Sequence, residues 1–400
     1  MKIRFMKTWP RTTWRMALSI ACLVFVFGQC KSKDSGDVRG CTTLKADLDA
    51  QEVSIHEVGL IEGCDLIKLH TADEVLIGNI DQVVVYDRYL YVADYYKSKT
   101  IFIFDTEGNF VNKIDRSGRA GDEYMQLRTM WVDPVRQTLN FISRVDRKMF
   151  VYDLKGEKLL KVDKLPKSFA EMVGAGGMRV GYSENYIEDK QQPYNVWLLD
   201  SNNAIVNGYL EIDPAWESSG FRDGRSLSVC GNKIYHVMPM DFQVRLLSPD
   251  GISSPWYYDF GKYRWPGADI GYEERKELLN SGREFVDRIY RFQETDDFLL
   301  AEIVFKGQTK LVVYEKSTGK INVCALSTYT DRYFIPFGRI VSLDEKHLIT
   351  AVPARDVKRC CEGDEFNDFE KDYPRQIGRM KALFPDIRES DNPFIVIYTL

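Results

Sequence analysis

Runs of hydrophobic residues alternate along this chain with short polar turns that resemble one another. Five such turns stand out: Asp105–Gly108, Asp153–Gly156, Asp200–Asn203, Ser248–Gly251 and Glu315–Gly319. Their last residues lie 48, 47, 48 and 68 positions apart. A β-rich run, a turn of this kind and a second extended run are typical of an antiparallel hairpin. Repetition near 48 residues indicates the four-stranded blades of a β-propeller.

The hydrophobic runs predict the strands of six blades. Blade 1 reads Gln82–Val85, Tyr89–Ala93, Thr100–Phe104 and Phe110–Ile114, and blade 2 reads Thr129–Val132, Leu139–Ile142, Met149–Tyr152 and Lys158–Val162. Blade 3 has Met178–Tyr182 and Asn195–Leu199 as its clearest strands, and blade 4 has Leu227–Val229, Lys233–Val237 and Val244–Leu247. Blade 5 has Arg288–Phe292, Phe298–Ile303 and Leu311–Tyr314, and blade 6 has Arg339–Ser342, Leu348–Val352 and Phe394–Leu400.

The sixth blade stops after its third strand, Phe394–Leu400. A closed ring cannot leave that edge unpaired without exposing a row of backbone donors and acceptors. We therefore expect Leu66–Leu69 to supply the missing strand. The predicted fold is an all-β, six-bladed β-propeller of four-stranded antiparallel blades over residues 60–400, closed by an N-terminal strand.

Composition supports a large β-fold. Aromatic residues make up 13% and hydrophobic residues 44% of the chain, enough to fill the space between packed sheets. The formal net charge is −5 over 400 residues, and the chain after its N-terminus has no long basic run. This charge pattern excludes a nucleic-acid partner.

The N-terminus predicts export. A basic segment precedes the apolar run Met16–Phe27, which is shorter than the roughly 20 residues of a membrane-spanning helix. The following Cys30 resembles the lipidated cysteine of a bacterial lipobox, although Phe27 and Gln29 depart from that pattern; the alternative is an ordinary secretory signal. We expect a lipoprotein signal peptide over 1–29, a tether and linker over 30–59, and a cell-envelope, outer-membrane lipoprotein anchored at Cys30, either periplasmic or surface-exposed.

The remaining cysteines are Cys41, Cys64, Cys230, Cys324, Cys360 and Cys361. An even number in an oxidising compartment permits a disulfide, for which Cys41 and Cys64 are the nearest candidates. The adjacent Cys360 and Cys361 are consistent with a metal site, a bridge or two free thiols, but no His lies nearby in sequence.

Three motifs resemble one known family. They are Ile77–Ile80 after a hydrophobic strand, Ile103–Asp105 with Gly108–Val111, and the crossing Gly118–Tyr124; Asp391–Phe394 also fits. On these residues the chain is similar to the Bacteroidetes-type six-bladed β-propeller lipoproteins, distant relatives of NHL-repeat and TolB-like propellers. The resemblance implies an envelope-anchored propeller and supplies no reaction.

Two long insertions, 261–287 and 353–393, are predicted on one face of the propeller, together with the crossing Gly118–Tyr124 and the loop Ser183–Pro193. Long loops mark the functional face of such a fold. In the first insertion, Tyr263, Arg264 and Trp265 suit stacking on a sugar or contact with a partner. The alternative is that Trp265 anchors the loop to the propeller rim.

The second insertion carries an acidic cluster that includes Asp364, Glu365 and Asp368, followed by a predicted helix over Arg375–Leu383. Such a cluster suits Ca²⁺, the one cofactor that we consider. It lacks the spacing of an EF-hand loop, so a solvated charged loop is the alternative. Otherwise no cofactor is predicted.

The crossing Gly118–Tyr124 has two interpretations. Glu123 at the channel mouth is suited to serve as an acid, a base or a ligand, with Arg116 and Arg119 binding an anionic group. Alternatively, Tyr124 packs between blades while Glu123 accepts backbone hydrogen bonds. We favour the structural interpretation.

Catalytic motifs are absent from the sequence. It contains no G-x-S-x-G, H-E-x-x-H or P-loop motif, and the four histidines are scattered, so no catalytic residue is named. The leading hypothesis is a binding or scaffold module for a glycan, a peptide or an envelope protein. The alternative is a metal-dependent propeller hydrolase, lactonase or lyase with its site at the central channel.

Overall fold

The computed structural model shows six small sheets arranged in a ring, which makes this chain an all-β, six-bladed β-propeller. It describes residues 2–6, 40–213, 225–265, 274, 277–278, 284–326, 337–362 and 385–400. The first strand of each blade contacts the first strand of the next, and the sixth contacts the first, so these strands line the central channel. The predicted fold class is confirmed.

The strands of each blade follow one another from the channel to the rim. Blade 1 has Gln82–Tyr86, Tyr89–Asp94, Thr100–Asp105 and Phe110–Ile114, and blade 2 has Met130–Asp133, Thr138–Ser143, Lys148–Asp153 and Leu159–Lys164. Blade 3 has Glu171–Ala175, Met178–Tyr182, Tyr194–Leu199 and Ile205–Glu211, and blade 4 has Leu227–Cys230, Lys233–Val237, Gln243–Ser248 and Gly251–Asp259. Blade 5 has Ile289–Glu294, Phe298–Phe305, Gln308–Glu315 and Ile321–Ala325, and blade 6 has Arg339–Leu343, His347–Val352, Phe394–Thr399 and Gly63–Lys68.

Hydrophobic residues on both faces of each inner strand build the core. In the third strand of blade 1, Ile101 and Ile103 pack towards blade 2, while Phe102 and Phe104 pack towards blade 6. Successive side chains of a strand point to opposite faces, so a continuous apolar run fills two interfaces at once. Burial of each such side chain stabilises the fold by about 1.5–3 kcal/mol.

The five repeated turns connect the third and fourth strands of blades 1 to 5, as predicted. The closing residue of each has a positive φ: 89° at Gly108, 67° at Gly156, 65° at Asn203, 139° at Gly251 and 71° at Gly319. Glycine adopts this conformation without steric penalty, and asparagine tolerates it better than other residues do. The turn composition therefore follows from the backbone geometry of the hairpins.

The predicted closure of the ring is confirmed. Gly63–Lys68 pairs antiparallel with Phe394–Thr399, with Leu66 opposite Val396. Asn392 reinforces this join, because its Oδ1 accepts from the Ile77 amide at 2.9 Å and its Nδ2 donates to the carbonyls of His70 and Val75 at 2.8 and 2.6 Å. The two ends of the chain are thus tied by side chain as well as by backbone.

Three short strands extend the outer edges of blades 4, 5 and 6. Thr42–Lys45 pairs parallel with Gly251–Asp259, and Val53–Ser54 pairs parallel with Ile321–Ala325. Lys2–Met6 pairs antiparallel with Gly63–Lys68. The sequence assigned 30–59 to a tether and linker, but part of that segment is sheet. Because these pairs lie far apart in sequence, no local pattern indicates them.

Regular helix is sparse in the part of the chain that is described. An α-helix covers Ala354–Glu362 in the second insertion, and 3₁₀ turns cover Asp73–Val75 and Gly261–Tyr263. The predicted helix over Arg375–Leu383 lies outside the described residues. Within the described segments, none of the helices is long and apolar enough to span a membrane.

The suggested bridge between Cys41 and Cys64 is not formed. Cys64 is a buried free thiol in blade 6, opposite Tyr398, whereas Cys41 directly precedes the strand on the rim of blade 4. The proximity of the two residues in sequence is therefore not proximity in space. Burial raises the pKa of the Cys64 thiol above its usual value, which keeps it protonated and unreactive.

Candidate functional site

Polar side chains from several blades meet where the first strands begin. We call this side of the propeller the crossing face; it also carries the loops between the second and third strands. Gln82 and Glu171 start the first strands of blades 1 and 3, and Arg225 lies two residues before that of blade 4. Hydrogen bonds join these side chains to other blades across or along the mouth of the central channel.

Gln82 connects blade 1 to blade 2. Its Nε2 donates to the Met130 carbonyl at 2.9 Å, and its Oε1 accepts from the Met130 amide at 3.2 Å. The Tyr95 hydroxyl also hydrogen-bonds to Gln82 Oε1. The side-chain amide thus acts as a further peptide unit that continues backbone pairing from one blade to the next.

Arg225 reaches the same glutamine from the opposite side of the ring. Its Nη2 donates to Gln82 Oε1 at 3.1 Å, and its Nη1 donates to Thr129 Oγ1 at 3.2 Å. Its guanidinium carbon lies 5.2 Å from the centre of the Tyr95 ring. Blades 1 and 4 face each other in a six-membered ring, so the half-buried Arg225 side chain spans the channel mouth.

The charge of Arg225 is retained at this position. Burial alone lowers the pKa of a guanidinium, but Tyr95 and Glu171 raise the pKa of Arg225 above its usual value. The hydroxyl of Tyr95 is neutral, since burial raises its pKa to about 12. The channel mouth therefore presents a permanent positive charge that is held by neutral oxygen acceptors.

Backbone amides donate hydrogen bonds to the Glu171 carboxylate. Its carboxylate accepts from the amide of Ser226 at 3.0 and 3.1 Å and from the amide of Leu227 at 3.2 Å. This contact joins blade 3 to the start of blade 4 and fixes the segment that carries Arg225. Burial raises the pKa of Glu171 above its usual value, because the charged form is desolvated.

Two exposed tyrosines, each paired with an arginine, lie on the crossing face of blades 1 to 3. Tyr96 is 54% exposed and Tyr186 is 43% exposed, both in loops between second and third strands. The guanidinium of Arg128 lies 5.3 Å from the Tyr96 ring centre, and that of Arg144 lies 5.8 Å from the Tyr186 ring centre. We call Tyr96, Arg128, Arg144 and Tyr186 the tyrosine–arginine row.

Arg128 has neutral contacts in the structure. Its Nη1 donates to the Tyr96 hydroxyl at 2.7 Å, and its Nε is buried without a hydrogen-bond partner in the described part of the chain. Arg144, in contrast, forms an ion pair with Glu184 at 2.8 Å. Arg128 directly precedes Thr129, which accepts from Arg225, so two arginines with neutral partners flank Thr129.

The crossing-loop residues that the sequence singled out lie away from this cluster. Arg116 pairs with Asp122 at 2.6 Å, with both side chains about half exposed, and Arg119 is exposed. Glu123 Oε2 accepts from the Ala120 amide at 2.9 Å. No described contact joins Arg116, Arg119 or Glu123 to the tyrosine–arginine row or to Arg225. These contacts match the structural interpretation of the loop.

Tyr124 is a core residue of the interface between blades 1 and 2. It is fully buried, and its ring packs edge-on against Phe141 and Phe150 at centroid distances of 5.3 and 5.7 Å. Its hydroxyl lies 2.7 Å from the Lys99 carbonyl and 3.0 Å from the Ile114 carbonyl. The residue therefore sets the angle of the crossing through packing and hydrogen bonding.

Of the three candidate residues in the first insertion, Trp265 is buried and Arg264 is exposed. Trp265 is 2% exposed and packs edge-on against Phe285 at 4.8 Å, so it anchors the loop and does not face a ligand. The Tyr263 hydroxyl hydrogen-bonds to Asp49 Oδ1, and its ring packs against Phe305 at 4.7 Å. Arg264 is exposed and lies 3.4 Å from the Tyr257 hydroxyl.

Other predicted sites fall outside the described residues. These are Cys30, the candidate lipidation site, and Asp364, Glu365 and Asp368, the candidate Ca²⁺ ligands. Among the residues whose placement is described, no group of three or more His, Cys, Asp or Glu side chains is positioned to hold a metal ion. His236, the most buried of the histidines, stacks beside Tyr182 at 4.9 Å and has a pKa well below its usual value because of burial.

The sequence did not point to Gln82, Glu171 or Arg225. One signal was available, because Gln82 and Glu171 are the polar first residues of hydrophobic first strands, and Arg225 lies two residues before the equivalent strand of blade 4. Tyr96 and Tyr186 similarly occupy equivalent loops of blades 1 and 3. Aligning the repeats on their first strands, rather than on their hairpins, would have brought these positions together.

Sequence comparison places most of the chain in one family. The DUF4934 family, described as a domain of unknown function, matches residues 43–399. A search of curated proteins finds no match.

Several solved structures share the fold. A Bacteroides fragilis protein whose name describes it as exported is 17% identical, with 89% of this chain and 98% of that chain covered and a TM-score of 0.68. A member of the DUF4221 family from Bacteroides vulgatus is 10% identical, with 84% and 98% covered and a TM-score of 0.50. A streptogramin B lyase structure is 11% identical, with 72% and 76% covered and a TM-score of 0.39. The first two structures agree with the six-bladed propeller, while kinship with NHL-repeat and TolB-like propellers stays a prediction.

Proposed function

We propose that this chain, which belongs to the DUF4934 family, is an exported binding module that holds its ligand on the crossing face of the propeller. Its partner is a glycan, a peptide or an envelope protein, as the sequence predicted. The lipid tether at Cys30 and an outer-membrane location are part of this proposal. The similarity to a Bacteroides protein named as exported agrees with it.

The observation that carries the proposal is the tyrosine–arginine row on the crossing face. Two tyrosines are about half exposed, although most of the aromatic residues that the structure describes are buried. Tyrosine and arginine are the residues most enriched at the centres of binding interfaces, because they combine large contact area with hydrogen-bonding groups. An arginine over each ring also limits the freedom of the side chains, which lowers the entropy lost on binding.

The binding surface therefore differs from the one that the sequence favoured. The sequence pointed to the two insertions over blades 4 to 6, whereas the exposed aromatic residues lie over blades 1 to 3. Both regions belong to the crossing face by topology. We keep Tyr263 and Arg264 as peripheral candidates, and Trp265 is excluded by its burial.

The alternative function, a metal-dependent hydrolase, lactonase or lyase, requires three or more oxygen or nitrogen ligands that converge at the channel mouth. The channel-mouth carboxylates and amides that are described bind backbone groups and arginines instead. This alternative thus gains no support from the geometry of the described residues.

A binding screen tests the proposal. Fluorescently labelled protein covering residues 31–400 is applied to arrays of glycans and of peptides, and positive ligands are measured by isothermal titration calorimetry. We expect the double variant Tyr96→Ala/Tyr186→Ala to bind its ligand at least about tenfold more weakly, a loss of about 1.4 kcal/mol. Tyr86→Ala, at the opposite end of a first strand, is the matched control. A ligand that binds the double variant as tightly as the unmodified protein would overturn the proposal.

A further inference from the structure

We infer that the ligand of the crossing face is an acidic oligosaccharide, with a uronic-acid carboxylate bound by Arg225 and Arg128. This inference rests on the proposed function and narrows it to one chemical class. The evidence for it is the set of groups that contact the two arginines.

Both arginines are positioned by neutral groups. Arg225 donates to an amide oxygen and a hydroxyl, and Arg128 donates to the phenol of Tyr96. A guanidinium has five N–H donors in a planar fork that fits a carboxylate with two parallel hydrogen bonds. Thr129, Gln82 and Tyr95 contact Arg225, and the Tyr96 hydroxyl contacts Arg128. Donors of both guanidinium groups are left over, and the Nε of Arg128 is buried without an acceptor among the described residues.

The nearby acidic residues have other partners. Glu171 accepts three backbone hydrogen bonds, Glu184 pairs with Arg144 at 2.8 Å, and Asp287 pairs with Arg288 at 3.2 Å. Between described residues, no ion pair within 4.0 Å involves Arg225 or Arg128. The carboxylate that stabilises the Arg225 charge, Glu171, acts without a direct ion pair, so the guanidinium can still take a carboxylate in direct contact, and such a contact is stronger in a half-buried site than at an exposed arginine.

The positive charges of Arg225 and Arg128 contrast with the negative net charge of the chain. At −5, the protein as a whole repels anions, so affinity for an acidic ligand has to come from a specific site. Arg225 and Arg128 flank Thr129 at the centre of the crossing face and supply such a site.

The surroundings favour a sugar over a peptide. The exposed ring of Tyr96 lies beside Arg128 and suits the C–H face of a pyranose, while the guanidinium groups suit its carboxylate and hydroxyl groups. Extended peptides are commonly recognised by adding a strand to an open sheet edge. The first strand of each blade pairs with the second, and its free edge lines the closed channel. The crossing face of blades 1 to 3 therefore presents loops and not a strand edge.

The experiment compares tetragalacturonate with its methyl ester, which has the same sugar rings without the negative charges. Binding to protein covering residues 31–400 is measured by isothermal titration calorimetry at low and high salt. We expect the acid to bind at least about tenfold more tightly than the ester, because a desolvated charge pair is lost in the ester. In Arg225→Met and in Arg128→Met, this preference for the acid falls towards unity, whereas Arg136→Met, on the opposite face, retains it.

Each outcome distinguishes the inference from the proposed function. Equal binding of acid and ester that is lost in Tyr96→Ala overturns the acidic ligand and leaves the binding module in place. Binding of a tetraglutamate peptide with the same dependence on Arg225, without binding of tetragalacturonate, overturns the sugar. No binding of any of the three probes also overturns the inference, and the array screen then decides the proposed function alone.

Folding of the variants is checked by thermal unfolding. If Arg225→Met does not fold, Arg225→Lys takes its place, because it keeps the charge but loses the planar fork. The acid preference should then fall several-fold without disappearing. An unchanged preference in a folded Arg225→Lys together with an unchanged preference in Arg128→Met would overturn the assignment.

Discussion

Arg225 donates through Nη2 to Gln82 Oε1 at 3.1 Å, although the two residues are 143 positions apart and belong to opposite blades. The same oxygen accepts from the Met130 amide at 3.2 Å. One amide side chain therefore joins the first, second and fourth blades at the channel mouth. Most contacts between blades join neighbours in the ring, whereas this hydrogen bond is a direct connection across the channel.

Replacement of Gln82 should weaken the whole propeller. Gln82→Ala leaves the Met130 amide and carbonyl without their partner, and we expect the free energy of unfolding to fall by about 2–3 kcal/mol. Urea unfolding followed by tryptophan fluorescence measures the change. Gln191→Ala, at an exposed loop position, is the control and should change stability by less than about 0.5 kcal/mol. An equal effect of the two substitutions would contradict the role assigned to Gln82.

The join between the two ends of the chain depends on Asn392. Asn392→Ala removes the acceptor of the Ile77 amide and the donor to the His70 and Val75 carbonyls. Each orphaned buried group costs about 1–3 kcal/mol, so we expect a loss of at least about 2 kcal/mol. Hydrogen exchange should show the greatest loss of protection in Gly63–Lys68 and Phe394–Thr399. The exposed Asn207→Ala serves as control, and uniform loss of protection over all blades would contradict a local clasp.

A comparison of two hairpin glycines distinguishes the energetic cost of a positive φ from the cost of a steric clash. Gly108 and Gly319 both have positive φ, but a Cβ at Gly108 would lie 2.2 Å from the Lys68 carbonyl oxygen, while one at Gly319 meets nothing within 4 Å. The left-handed conformation alone costs about 1–2 kcal/mol for a residue other than glycine.

Gly319→Ala should therefore lower stability by about 1–2 kcal/mol, and Gly108→Ala should lower it clearly more. Thermal and urea unfolding of both variants give the comparison. Equal losses would mean that the clasp strand moves to accommodate the new methyl group at residue 108.

The opposite end of the channel contains a group that responds to acid. Burial alone raises the pKa of Glu294, but hydrogen bonds from Lys316, Tyr235 and Lys233 outweigh burial and lower that pKa from 4.5 to about 2. A carboxyl whose pKa is lower in the folded state stabilises the fold above its unfolded pKa. That stabilisation is lost as the pH falls from about 4.5 towards 2.

Glu294→Gln should thus be destabilised at pH 7, by about 1–3 kcal/mol for the loss of charge-assisted hydrogen bonds. The difference from the unmodified protein should shrink as the pH approaches 2. Urea unfolding at pH 7, 5, 4 and 3 tests this, with the exposed Glu389→Gln as control. A difference that stays constant with pH would show that the carboxylate charge is not the source of the stability.

Much of the architecture was predictable from short-range patterns. The closing residues of the five hairpins have positive φ, which is why Gly or Asn recurs there and why the repeat was visible. Strand ends were less certain, because the predicted and observed bounds differ by up to three residues, as at Gln308–Glu315. Four strands were not predicted: the first and fourth of blade 3 and the fourth of blades 4 and 5. In two of them, Gly174 and Pro255 interrupt the apolar pattern.

The candidate site was much less predictable. Trp265 was a sensible choice for a ligand-binding side chain, but an aromatic residue in a long loop serves equally well as an anchor, and its 2% exposure decides between the two. Arg116 and Glu123 were candidates because the crossing loop was expected to place Glu123 at the channel mouth. Their contacts are indeed local, with Asp122 and with the Ala120 amide, and this keeps them out of the channel mouth.

The sequence by itself determined the number of blades, the hairpins and the N-terminal strand that closes the ring. The alternation of hydrophobic runs with polar turns, the conformation of a turn and an unpaired strand edge are all properties of short segments. Only the tertiary structure decided that Arg225 meets Gln82, that Tyr96 and Tyr186 stay exposed beside arginines, and that Thr42–Lys45 joins blade 4. These contacts form because closure of the ring brings the starts of distant strands to one channel mouth. No pattern in a single segment encodes which of them will meet.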